Sequence, residues 1–445
     1  MASAAEQMAA NLNLGAFGKA TDLHKRIWFT LGALIVFRLG TYIPVPGVDA
    51  AVMAHLMTQN GSGILGMFNM FTGGALGRMT IFALNILPYI SASIIIQLMT
   101  STIPALEALK KEGDSGRMKI TQYTRYLTVL IAGVQAYGIS MSLERVKTAL
   151  GPAVIDPGFF FVFTSVVTLV GGTMFVMWLG EQITSRGIGN GSSLIIFAGI
   201  IANMPIAIAN ILELGSTGAL STLFIITFFV AGVALFAFIV FMERAQRRIL
   251  VQYPKRQVGQ KVYGGESTHI PLKVNVSGVM PPIFASSLLV IPATFVGFSK
   301  GGPEWLQAAA HLLSRGQPLY MLLFATLIAV FAFVWAAISF NPEDTAENLK
   351  KNGGFIPGIR PGANTAKYFD TVLTRLTAIG AVYLTVVCLL PDFVLSNYSL
   401  PFYFGGTSLL IIVSVTMDTV SQVQSHMLAH QYEGLIRKNR GKSRK

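Results

Sequence analysis

Long apolar runs alternate with short polar breaks along the whole chain. About 20 mostly apolar residues in a helix cross a bilayer core. Runs of that kind lie at about 27–43, 80–99, 123–143, 159–179, 192–212, 219–242, 275–298, 319–340, 371–391 and 405–427. The pattern predicts an all-α polytopic membrane protein with ten transmembrane helices. The first run carries Arg38 near its end and stops at Tyr42-Ile43-Pro44-Val45-Pro46. The second contains Asn85-Ile86-Leu87-Pro88-Tyr89, which predicts a helix kinked at Pro88 whose freed carbonyl is satisfied by neighbouring helices.

Composition agrees with that solvent. Of 445 residues, 53% are apolar and 12% charged, where a soluble domain carries roughly 25% charged residues. The net charge of +13 would suggest nucleic acid if it were spread evenly. It is not. With the N-terminus inside, the outer loops hold only Arg145, Lys147, Lys300 and Arg315 of the 33 Lys and Arg, and Arg38 and Arg78 lie in or beside spans. The rest fall in cytoplasmic segments, so the charge bias predicts that both termini are cytoplasmic. Met1 to Arg26 lacks an apolar core before a cleavage site, and no cleaved signal peptide is expected. The single cysteine, Cys388, has no internal partner for a disulfide.

The chain divides near residue 215 into two groups of five spans, which must then run in opposite orientations. That arrangement suggests an inverted pseudo-repeat with function at the interface of the halves. The expected organisation is a cytoplasmic segment 1–26, an N-terminal half 27–212, a C-terminal half 213–427 and a basic tail 428–445. Two cytoplasmic loops are unusually long, 243–273 and 341–370, and long ordered loops tend to carry function. The first continues span 6 through Glu243-Arg244-Ala245-Gln246-Arg247-Arg248 and reads as a protruding hairpin.

No catalytic chemistry is visible. Gly73-Gly74-Ala75-Leu76-Gly77 and Arg186-Gly187-Ile188-Gly189-Asn190-Gly191 are glycine-rich but follow no strand, so neither reads as a phosphate loop. His426 and His430 have helical metal spacing without a third ligand, and no metal or cofactor is expected. Asp418 is the exceptional intramembrane carboxylate, with structural pairing to Arg78 as its expected role. A solute transporter would need several mid-membrane charges, and an intramembrane protease a nucleophile with its base; neither set is evident. Ile64-Leu65-Gly66-Met67-Phe68-Asn69-Met70-Phe71 is apolar, too short to cross, and flanked by glycines within 61–77. A short hinged helix of that kind on the outer face could fold back and stopper a pore.

Several long strings carry a family resemblance: Pro44-Val45-Pro46-Gly47-Val48-Asp49; Phe68-Asn69-Met70-Phe71 followed by Gly73-Gly74-Ala75-Leu76; Pro88-Tyr89-Ile90-Ser91-Ala92-Ser93; Trp178-Leu179-Gly180-Glu181-Gln182; Pro357-Gly358-Ile359-Arg360-Pro361-Gly362; and Phe404-Gly405-Gly406-Thr407-Ser408. With these the chain resembles the SecY family, the central subunit of the bacterial Sec protein-translocation channel, over nearly its whole length. The resemblance implies two inverted five-helix halves around a central hourglass pore in the bacterial inner membrane, conducting unfolded secretory polypeptides. It implies a pore ring at Ile86, Ile90, Ser192, Ile196, Ile283 and Ile411, with Ser192 replacing a common isoleucine. An apolar collar resists ions because it dewets. The plug matches Ile64, Leu65, Met67, Phe68, Asn69, Met70 and Phe71. A lateral gate between spans 2–3 and 7–8 matches Ser91, Gln135 and Asn275, whose mutual hydrogen bonds are expected to hold it shut. Arg247, Arg248, Lys255, Arg256 and Arg360 match the docking surface for the SecA motor ATPase and the ribosome, and their charge suits RNA phosphates. The implied partners also include SecE and SecG, a polypeptide bearing a signal sequence, and lipid.

Overall fold

The computed structural model describes residues 21–53, 55, 69, 71–145, 147–148, 151–218, 221–253, 256–258, 261–263, 267–298, 317–398 and 405–442. Helix dominates. Each of the ten predicted spans overlaps a helix: α1 Thr21–Gly40, α2 Leu87–Thr102, then after the short α3 Pro104–Lys111, α4 Asp114–Arg145, α5 Phe159–Arg186, α6 Gly191–Ser216, α7 Thr222–Arg244, α8 Met280–Phe298, α9 Pro318–Ser339, and after the short α10 Pro342–Lys351, α11 Ala363–Tyr398 and α12 Gly406–Lys442. Among the described residues, seven are long and apolar enough to cross a membrane by themselves: α4, α5, α6, α7, α9, α11 and α12. Polar residues at both ends of α1, the shortness of α2 and the shorter described apolar part of α8 keep those three below that mark.

The second span departs from expectation. Residues 72–86 form turns rather than helix, with Met79 and Asn85 at positive φ, and the helix begins only at Leu87. Pro88 therefore opens α2 instead of kinking it. Its missing N–H costs nothing in a first turn, where no intrahelical acceptor waits, and its fixed φ suits the helix. The turn run is held flat against the chain after α1: Val45 N donates to Met79 O at 2.9 Å and Ile81 N to Ile43 O at 3.0 Å. At its far end α2 meets α3 at a bend of 97°, with Ile103 extended before Pro104.

The predicted hairpin is a β ladder. β3 Gln246–Gln252 pairs antiparallel with β6 Ser267–Lys273, and nearer the tip β4 Arg256–Val258 pairs with β5 Lys261–Tyr263. A further two-residue ladder, β1 Lys147–Thr148 with β2 Gly151–Pro152, closes the loop between α4 and α5. The two long loops are one packed unit. Gln252 and Phe355 exchange backbone hydrogen bonds, and Ile249, Val251 and Leu272 share a small core with Leu349, Ile356 and Phe369. The main core runs continuously through both halves, from Phe37 and Ile86 to Ile283, Leu384 and Ile411. Outside it, Trp28, Leu223, Val233, Phe241 and Leu322 are left bare. That inverts the solvent logic of a soluble protein and fits an apolar surrounding.

Candidate pore and lateral gate

One tight turn sets where α6 begins. The loop 187–190 joins α5 to α6, and its glycines serve close packing, not phosphate. Gly189 has φ +88, Gly189 N donates to Gln422 Oε1 of α12 at 2.8 Å, and Ile188 N donates to Thr30 Oγ1 of α1 at 3.1 Å. Gly191 lies directly on the Gly180 backbone of α5, and its N–H donates to Thr184 Oγ1 at 2.9 Å. α6 thus starts at a fixed point between α1, α5 and α12. Asn190 caps it: Ser192 N and Ser192 Oγ both donate to Asn190 Oδ1, at 3.1 and 2.6 Å. The one polar member of the expected ring therefore has its hydroxyl proton engaged.

Ile86, Ile90, Ile196, Ile283 and Ile411 are all buried in the one core that joins the two halves. Ile86, Ile90 and Ser192 also line a cavity of about 700 Å³, with Met280 and Phe284 across from them. Its wall carries an ion pair that sequence reading passed over. Arg125 of α4 forks onto Glu181 of α5, Nε to Oε1 at 3.1 Å and Nη2 to Oε2 at 2.6 Å. The spacing of 56 residues hides this pair from any local pattern. The cavity thus combines polar side chains with Ile86 and Ile90 of the buried core.

Of the expected plug, Ile64, Leu65, Met67, Phe68 and Met70 lie outside the described residues. Phe71 is buried, and Asn85 Nδ2 donates to its carbonyl at 2.9 Å. Asn69 Oδ1 accepts from Gly77 N at 2.6 Å. Arg38 Nη1 donates to Gly73 O at 2.6 Å. The expected Arg78–Asp418 pair does not form. Asp418 is exposed on α12, and the Arg78 guanidinium lies 4.3 Å from the centre of the Tyr42 ring. The ring face attracts the cation, and Arg78 Nη1 is left buried without a hydrogen bond.

At the expected lateral gate, α8 packs against both α2 and α4. Ile94 and Leu98 of α2 share a narrow void with Phe284 of α8 and with Phe331, Trp335 and Ile338 of α9. Ser91 is buried and Gln135 half-buried. Asn275 does not bond to either of them. Its Nδ2 donates to Glu243 Oε1 at 2.7 Å and to Gly278 O at 3.0 Å. A carboxylate accepts more strongly than a neutral hydroxyl, so Glu243 takes the amide. Of the expected docking residues, Arg247, Arg248 and Arg360 are exposed, Arg256 begins β4, and Lys255 lies outside the described residues. His426 is exposed, and no cluster of metal-ligating residues occurs among the described residues.

A bundle of this many long apolar helices is the architecture of a multi-pass membrane protein. The SecY family model matches residues 80–420. The protein translocase subunit SecY of Rickettsia conorii is 56% identical over 94% of this chain and 96% of its own length, and that of Escherichia coli K12 is 55% identical over 95% of each. A solved protein-conducting channel, 16% identical, superposes with a TM-score of 0.66 over 91% of this chain and 92% of its own. Another, at a TM-score of 0.62 and 16% identity over the same shares, is a SecY protein whose plug domain is described as stabilising the closed state of the translocation channel and maintaining a membrane seal. The chain belongs to the SecY family.

Proposed function

We propose that the chain is the pore-forming subunit of a protein translocase. It moves unfolded secretory polypeptides across the membrane and releases transmembrane segments sideways between α2–α4 and α8–α9. The observation that carries this reading is the burial of Ile86, Ile90, Ile196, Ile283 and Ile411 in one cluster between the halves, below a polar vestibule. Such a collar closes around an extended chain of any sequence and excludes ions by dewetting. SecE and SecG are its proposed neighbours, and SecA and the ribosome its proposed cytoplasmic partners, docking on Arg247, Arg248, Lys255, Arg256 and Arg360. The charge bias of the loops supports a plasma-membrane orientation with both termini inside. The test is site-specific photocrosslinking of a stalled precursor in vesicles. A photoreactive residue replaces each ring isoleucine in turn, with exposed Val233 as control. Crosslinks at the ring and none at Val233 are expected. Translocation without ring contact would overturn the pore assignment.

A further inference from the structure

Glu243 is a buried carboxylate, 8% exposed, at the last turn of α7. No ion pair among the described residues includes it. Burying a carboxyl group without a cationic partner is expensive and needs a reason. Its partner is Asn275, itself 2% exposed. Both Asn275 amide protons are in use, one on Glu243 Oε1 at 2.7 Å and one on Gly278 O at 3.0 Å, while Asn275 Oδ1 accepts from Ser277 Oγ at 3.4 Å. The amide therefore joins α7 to the turn that launches α8. Gly380 of α11 packs against Val274 O and the Asn275 Cα, which leaves little room for a side chain there. Tyr383, also on α11, is buried with its hydroxyl beside the carboxyl group. One turn beyond Gly278, Ile283 enters the constriction and Phe284 enters the seam with α2.

We propose that Glu243 is a positioning residue of the lateral gate. Through Asn275 it fixes the first turn of α8 where that helix closes on α2 and α4. The proposal rests on reading those helices as a gate. A rigid helix carries a shift at its first turn to every residue along it, so a loosened Asn275 moves Ile283 and Phe284 together. The test uses the full chain with its partner subunits in vesicles, in a background where Cys388 is replaced by Ala. Cysteines at Leu98 and Ile338, on opposite sides of the seam, report closure by disulfide formation, and a precursor with a weakly apolar signal sequence reports selectivity. Glu243→Ala is expected to shift the closed-to-open ratio on the order of tenfold towards open, the scale of one lost hydrogen bond. It should also admit the weak signal. Glu243→Gln keeps an acceptor for Asn275 and is expected to restore both readouts. If E243A only lowers the amount of folded channel, with unchanged crosslinking per channel and unchanged selectivity, the proposal is overturned. If the cysteine pair in the unaltered channel never responds to a precursor, the gate reading itself fails, and that outcome is distinct.

Discussion

A methyl group on Gly191 would collide with the Gly180 carbonyl oxygen across the α5–α6 contact. Neither backbone can yield, because α6 is fixed at that point to Thr184, Thr30 and Gln422 through the 188–191 backbone. Gly191→Ala should therefore cost about 1–3 kcal/mol, the range for overpacking a filled site. A thermal melt of the purified channel followed by tryptophan fluorescence checks it, and an unchanged midpoint would contradict the packing argument. The glycines themselves are legible in the sequence as a non-strand, non-phosphate motif; their role as a tight helix junction is not, since the collision partner lies on another helix. Glu243 shows the same limit more sharply. In sequence it begins a charged run ending in Arg247-Arg248 and looks like one more solvated residue of that run. Only the fold turns it inward onto Asn275, 32 residues on. The ring isoleucines are the converse: apolar runs place them in spans, but any isoleucine in a span looks alike, and only the family resemblance singled out these.

Helices as units were largely legible, because an apolar run of span length has few alternatives. Their ends were not. α4 starts at Asp114 rather than near 123, since its first turns are polar and carry no hydropathy signal. The start of α2 is not legible in the sequence because a positive-φ Asn85 breaks the chain just before Pro88, and an isolated asparagine in an apolar run gives no warning. What ties such helices together also lies beyond local pattern. Arg125 and Glu181 link α4 to α5 at the vestibule wall, with side chains 47% and 23% exposed. Its forked geometry favours a real contribution, but its exposure keeps it small. A double-mutant cycle of R125Q and E181Q, read by thermal stability, should return a coupling on the order of 1 kcal/mol. Strict additivity of the two single changes would mean that the fork contributes nothing to holding α5 on α4.

At the scale of the molecule, the two long loops matter because they are one body. β3 and β6 pack through Ile249, Val251 and Leu272 onto Leu349 and Phe369, and the Gln252–Phe355 backbone bonds lock the hairpin to the loop that follows α10. Arg247 and Arg248 on β3 and Arg360 beyond Phe355 are thereby carried on a common rigid support and left exposed. The length and charge of both loops were legible; their union was not, because it depends on apolar residues scattered over about 130 positions. Separating charge from support gives two different expectations for docking. Arg360→Glu removes a cation from an intact platform. It should weaken ribosome binding to vesicles roughly tenfold at physiological salt and flatten the salt dependence by about one unit of log–log slope, as for a lost phosphate contact. Phe369→Ala empties the centre of the platform, where the ring is fully buried, and should cost about 3–5 kcal/mol of local stability. It should weaken docking with the salt slope unchanged, since every cation remains. Vesicle co-sedimentation with ribosomes across a salt series separates the two. If R360E and F369A change the slope equally, or neither changes affinity, the paired loops are not the docking platform, and their packing serves only to brace the ends of α7, α8, α9 and α11.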